Sequence, residues 1–151
     1  MPNVIKNTIT IHKTPQQVFD YVTQPWKWHE WHPNSVSAKA IVDRLSVGDE
    51  FDEVVRLEPF SPLPITLMRE TKYTVLKGVD AECWEVKGVM KDGWLNLYYK
   101  FSPAGNGGTD FERTLTYDVS GLSRLMLPLL SSRMKANSIV ALNNLKRCLE
   151  G

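Results

Sequence analysis

The stretch from Gly121 to Glu150 limits the possible folds more than any other part of the chain. It is too long for a strand. Setting successive residues about 100° apart brings Leu122, Met126, Leu130, Met134, Val140, Ala141, Leu145 and Cys148 to one side. Arg124, Ser131, Lys135, Ser138 and Lys146 fall on the other side, which reads as the solvated one. Pro128 lies inside the pattern, where it removes a backbone donor and crowds the preceding turn, so a kink or a late helix start is expected there. No further breaker occurs before Gly151. The spacing predicts one long terminal helix.

Three polar residues, Arg133, Asn137 and Asn144, fall near the middle of that apolar stripe. A buried amide or guanidinium left unpaired costs about 1–3 kcal/mol, so a dry core would disfavour them. They are expected to line a cavity holding water or ligand. The alternatives are that they reach partners on neighbouring strands, or that the helix is rotated from this wheel.

At 151 residues the chain fits one domain able to bury a core without staples. Charge is nearly balanced, with 18 Lys plus Arg against 17 Asp plus Glu. The terminal stretch holds five of the positives (Arg124, Arg133, Lys135, Lys146, Arg147) and one negative (Glu150), leaving 13 and 16 for the rest. That asymmetry is too weak for a nucleic-acid surface. The 2 cysteines, Cys83 and Cys148, make neither a disulfide framework nor a metal cluster. No apolar run resembles a signal peptide or is long enough to span a bilayer, so a soluble cytoplasmic protein without stable membrane insertion is expected.

From Val4 to Ile11 the residues alternate as a half-buried strand, with Ile5, Asn7, Ile9 and Ile11 on one face. Thr14-Pro15-Gln16-Gln17 then gives a helix start, with Thr as cap, Pro at the first helical position and Gln at the capping-box position. Pro25 opens a second short helix or turn through His32, ended by Pro33. Strands are predicted over Ser35–Val42, Glu50–Leu57, Ile65–Leu76, Ala81–Gly88, Trp94–Phe101 and Asp110–Val119. Turn signals separate them at Ser46 to Asp49, Pro59 to Pro62, Lys77 to Asp80, Lys91 to Gly93 and Ala104 to Gly108. Strand, two short helices, six strands and a long helix suit one antiparallel sheet bent around that helix.

Alternation also assigns faces. Leu95, Leu97, Tyr99 and Phe101 share one, as do Phe111, Arg113, Leu115, Tyr117 and Val119, and Trp84 shares one with Val86. Arg113 is the polar exception in its row; it either marks a partly polar interior or is turned outward by a twist or bulge.

Trp26, Trp28 and Trp31 with His29 and His32 form a conspicuous local cluster. The two histidines are three apart with Glu30 between them, which is not the four-residue spacing of a helical zinc site, and no third ligand is apparent. No metal and no cofactor are expected. Trp28 and Trp31 instead suit packing against the open end of the sheet, or gating a cavity mouth. Glu58, Glu70, Glu85 and Glu112 lie on predicted strands and would serve as acid or base only if turned inward. No Ser/His/Asp or Cys/His constellation and no phosphate-binding glycine loop is present.

This chain resembles the START/Bet v 1-like (SRPBCC) helix-grip superfamily, in particular its polyketide cyclase/dehydrase and lipid-transport-like branch. The resemblance is carried by Ile9 to Asp20, by Trp28 to Pro33, by Gly108-Thr109 leading into the last strand, and by Ala141-Leu142 and Leu145-Lys146. It implies an α+β helix-grip fold, a curved seven-stranded antiparallel sheet around the C-terminal helix, with an apolar ligand held between them. The expected function is binding or transport of a small hydrophobic or amphipathic molecule: a lipid, aromatic or polyketide-like compound. A cyclase or dehydratase using the same pocket is the first alternative, and a chaperone-associated partner module the second. The expected ligand-binding side chains are Trp28, Trp31, Trp84, Leu97, Tyr99, Arg113, Tyr117, Met126, Leu130, Arg133, Asn137, Ala141 and Asn144.

Overall fold

The computed structural model describes residues 2–58 and 63–151. Strand β1 (Asn3–Ile11) leads into helix α1 (Pro15–Val22), whose start carries the expected capping box: Thr14 Oγ1 accepts from the Gln17 backbone, and the Gln17 side chain accepts from the Thr14 N–H. A 3-10 helix over Pro25–Glu30 follows. Six strands come next: β2 (Ser35–Lys39), β3 (Glu50–Leu57), β4 (Leu67–Val79), β5 (Cys83–Met90), β6 (Gly93–Pro103) and β7 (Thr109–Val119). A one-turn helix α2 (Gly121–Leu125) precedes the long helix α3 (Leu127–Glu150), which starts late, with Pro128 in its first turn.

All seven strands form one curved antiparallel sheet in the order β1-β7-β6-β5-β4-β3-β2, and α3 lies over it. The long C-terminal helix gripped by this sheet is the architecture expected from the sequence. Several strand ends differ from the sequence expectation: β2 stops at Lys39 rather than Val42, β4 starts at Leu67 rather than Ile65, and β5 and β6 run on to Met90 and Pro103. Lys77 to Val79 belong to β4 rather than to a turn, because a bulge between Val75 and Lys77 carries the strand onward. The β4–β5 reversal falls instead at Asp80 to Glu82, with Ala81 at a φ of 63°. The turn expected at Pro59 to Pro62 lies outside the described residues.

The concave face is filled at one end by aromatic side chains. Trp28, from the 3-10 helix, stands edge-on to Phe51 and Trp84 at ring separations of 5.5 and 6.1 Å. Tyr99, Phe111 and Phe101 continue the cluster, and Phe19 of α1 closes it at 5.2 Å from Phe101. Val18, Val22, Ala141 and Leu145 are fully buried against it. Among the described residues no helix is long and apolar enough to cross a membrane.

Helix α3 is turned from the sequence wheel, toward Ser138 and Leu142. Its buried residues are Leu130, Ser138, Ala141, Leu142 and Leu145, whereas Val140 and Cys148, like Leu122 of α2, face outward. The rotation follows from where its polar groups find partners. Ser138 Oγ accepts from the Arg113 guanidinium and Ser131 Oγ bonds the Tyr117 hydroxyl at 2.6 Å, so two serines placed on the solvated side are turned to the sheet. Lys146, also placed there, donates to the Thr10 carbonyl at 2.7 Å.

Candidate functional site

Beside the aromatic cluster the concave face holds a partly open cavity of about 80 Å³. Leu97 and Tyr99 of β6, Arg113 and Leu115 of β7, Val55 of β3, and Met134 and Ser138 of α3 line it, together with Trp28, Trp31, His32, Asn34 and Ser35 from the 3-10 helix and the segment after it. Glu53 and Tyr73 complete the polar wall.

Two charged side chains enter this space through strand alternation. In β3, Phe51, Glu53 and Val55 point to the same face, and Glu53 is only 6% exposed. In β7, Phe111, Arg113 and Leu115 do the same, and Arg113 is also 6% exposed. The β6–β7 register runs without a bulge, so nothing turns Arg113 outward. Burial pushes the Glu53 carboxyl up to about 7, against the lowering effects of the Tyr73 hydroxyl donating at 2.9 Å and of the Arg113 charge. The His32 imidazole is lowered to about 3 by burial and by Arg113. Burial raises Tyr99 to about 12, and Tyr73 rises well above its ordinary value, so both phenols stay protonated.

Hydrogen bonding around the cavity is incomplete. The Trp28 indole N–H donates to the Val22 carbonyl at 2.8 Å. The Trp31 indole N–H, by contrast, is buried and unpartnered, and so are Arg113 Nε and Ser35 Oγ. Asn34, 8% exposed, is tied on both sides: its amide donates to the Arg56 carbonyl at 2.8 Å and its oxygen accepts from Asn137 at 3.1 Å.

Five of the residues expected in the pocket meet in this cavity: Trp28, Trp31, Leu97, Tyr99 and Arg113. Trp84 is buried within the aromatic cluster, and Tyr117, Leu130 and Ala141 are buried in the sheet–helix interface away from the cavity lining. Met126 sits half-buried at the junction of α2 and α3. Asn137 and Asn144 fall at the edge of the inward face once the helix is turned. They donate to Asn34 and to the Trp31 carbonyl (3.1 Å each), so they position the segment behind the cavity rather than line it. Arg133 is also outside the lining, and its Nε is buried without a partner. Glu70 and Glu112, two of the strand carboxylates considered as acid or base, do not turn into the cavity: Glu70 is exposed and Glu112 pairs with Lys6 at 3.5 Å.

The sequence reading missed Glu53, His32, Ser138 and Tyr73 as cavity residues. Glu53 carried the same signal as Arg113, a charge in an apolar strand row.

A second, open groove of about 1080 Å³ runs between β2–β5 and α2, and Glu53 is the one residue it shares with the cavity. At its rim Asp92 accepts from Ser123 and lies 3.4 Å from Arg69, fixing α2 to β4 and to the β5–β6 turn. Among the described residues no three His, Cys, Asp or Glu side chains gather as a metal site. His29 is exposed while His32 turns into the cavity, so the two do not converge.

Residues 3–150 match the family described as polyketide cyclase / dehydrase and lipid transport. No curated protein matches the chain. Among solved structures, a Thermus thermophilus protein superposes with a TM-score of 0.74 at 14% identity, over 97% of each chain. A Chromobacterium violaceum protein gives 0.71 at 15% identity, covering 100% of this chain and 99% of its own. The Zhui aromatase/cyclase from a Streptomyces species gives 0.72 at 11% identity, covering 99% of this chain and 94% of its own. At such identities these likenesses establish the fold.

Proposed function

The chain belongs to the polyketide cyclase/dehydrase and lipid-transport family, and from that premise we propose that it binds a small hydrophobic or amphipathic molecule between the sheet and α3. The observation that carries this reading is the cavity itself. Its walls are mostly apolar side chains, yet it holds buried polar atoms that the protein leaves unpaired. A carrier of amphipathic molecules needs that combination of apolar surface and a few fixed polar groups. Trp28, Trp31, Leu97, Tyr99 and Arg113 are its proposed contacts, and Asn137 and Asn144 hold the segment that presents Trp31. At about 80 Å³ the cavity is smaller than the several hundred Å³ usual for a ligand pocket, so binding a whole ligand requires its walls to part. Met134 and Leu95, only half-buried, are the lining residues proposed to move.

Filling the cavity tests this. Leu97→Trp should abolish binding of the neutral dye N-phenylnaphthylamine while circular dichroism and cooperative melting persist. Undiminished dye binding in that folded variant would overturn the reading.

One observation favours a second reading, catalysis in the same pocket. A carboxyl raised to about 7 at a cavity wall can both give and take a proton near neutral pH. In that case Glu53→Gln would keep ligand affinity and lose turnover of a cyclase or dehydratase substrate.

A further inference from the structure

Resting on the cavity as a ligand site, we infer that the buried end of its ligand is an acceptor-only oxygen group, a carboxylate or carbonyl, held by the Trp31 indole N–H and the Arg113 guanidinium. These two side chains come from different elements, Trp31 from the end of the 3-10 helix and Arg113 from the middle of β7. Trp31 is 1% and Arg113 6% exposed, and Trp31 Nε1 and Arg113 Nε are both buried without a partner. Both groups can only donate. A buried donor left unpaired loses its bond to water and gains nothing, so these two atoms call for an acceptor that the protein does not bring to them.

Most acceptors nearby bond elsewhere, and the Ser35 hydroxyl, itself unpartnered, bonds neither donor. Glu53 Oε1 takes the Tyr73 hydroxyl, Asn34 Oδ1 takes the Asn137 amide, and His32 Nδ1 takes the Asn34 backbone N–H. Among the described residues Arg113 has no ion pair, and its one hydrogen bond, to Ser138, is long at 3.4 Å. An incoming oxygen group with free lone pairs would offer acceptors to these orphan donors. A carboxylate would also give Arg113 a counter-charge. A hydrocarbon end would leave both donors stranded, and an ammonium would add a second cation beside Arg113. The same stretch pairs the Trp28 indole and leaves the Trp31 indole free, so the deficit is local rather than general.

The test uses the full chain and a competition series against N-phenylnaphthylamine: hexanoate, methyl butyl ketone and hexylamine, which share a short alkyl tail and differ in the polar end. Hexanoate and the ketone should displace the dye, with hexylamine weaker by about tenfold or more, the factor expected for losing one buried charge-assisted hydrogen bond. Hexanoate well ahead of the ketone assigns the group as a carboxylate; parity assigns it as a carbonyl. Trp31→Phe keeps an aromatic ring and removes the N–H, and it should lower the ratio of hexanoate to dye affinity by about fivefold. Arg113→Met should lower it further, and Trp31→Phe carries the test if that variant fails to fold. Equal displacement by hexylamine and hexanoate, or an unchanged ratio in Trp31→Phe, would overturn the inference and leave the pocket reading intact. A wild-type chain that binds neither dye nor any of the three would overturn both.

Discussion

Two ends of one concave surface differ by a single pleat repeat. Two residues along β3, Phe51 gives way to Glu53, and two along β7, Phe111 gives way to Arg113. On the Phe side, Trp28, Phe51, Tyr73, Trp84 and Tyr99 interlock, with Phe51 and Tyr73 stacked at 4.6 Å. On the charged side the strands are just as continuous, but the space is not closed and donors go unpaired. The aromatic end supplies burial that holds sheet and helices together. The polar end gives up some of that stability, as sites that bind or react commonly do.

If that division is right, damage should scale with distance from the polar end. Trp84→Ala, in the filled end, should cost about 3–5 kcal/mol in urea melts, and Leu145→Ala about 2–5 kcal/mol, since both are fully buried. Losses below about 1 kcal/mol at either position would mean the aromatic end is not the stabilising half.

The polar end should announce itself through pH. Glu53 is raised from 4.5 to about 7, so across that window the unfolded chain ionises while the folded one holds its proton, and stability falls as pH rises. His32 is lowered from 6.5 to about 3, so the unfolded chain gains a proton that the folded one refuses, and stability falls as pH drops. Between pH 4.5 and 6.5 the two slopes oppose each other and nearly cancel. Relative to wild type, Glu53→Gln should therefore gain stability with rising pH by up to about 1.4 kcal/mol per unit there, and His32→Asn should lose it at a similar slope. Melts of the three proteins across this range give the check. Parallel curves would mean that neither group is held away from water.

Smaller effects are expected at the periphery of the site. Asn137→Leu strands the Asn34 side-chain oxygen and should cost about 1–2 kcal/mol while leaving the sheet folded. Lys135→Ala, on the exposed side of α3, should stay within about 0.5 kcal/mol. Lys146→Ala should exceed it slightly, because Lys146 bonds the Thr10 carbonyl and Glu150. Equal losses at Lys135 and Asn137 would erase the distinction between supporting and solvated positions on the helix.

Much of the fold was legible in the sequence because its signals are local. Thr14 with Gln17 marks the α1 cap, Glu50–Leu57 alternates cleanly as β3, and Pro128 marks where α3 begins. The helix rotation was not legible. A wheel assumes that polar residues face water, but Ser131 and Ser138 spend their hydroxyls on Tyr117 and Arg113, while Leu129, Ile139 and Val140 remain exposed. That displacement put Asn137 and Asn144 at the stripe's centre when their partners are Asn34 and Trp31 at its edge. Glu53 was readable by the alternation that singled out Arg113. His32 and the free indole of Trp31 were not, since which ring nitrogen finds a partner depends on the exact seating of a short 3-10 helix.

The division between the two ends can be tested at one atom. In a proton–nitrogen correlation spectrum the 5 tryptophans give separate indole signals, and Trp31→Phe identifies one of them. Titration with hexanoate should shift the Trp31 indole proton downfield as it gains an acceptor, while the Trp28 indole, bonded to Val22, and the Trp84 indole, in the filled end, stay within a small fraction of that shift. A stationary Trp31 signal under saturating ligand, or movement of the Trp84 signal instead, would contradict the account.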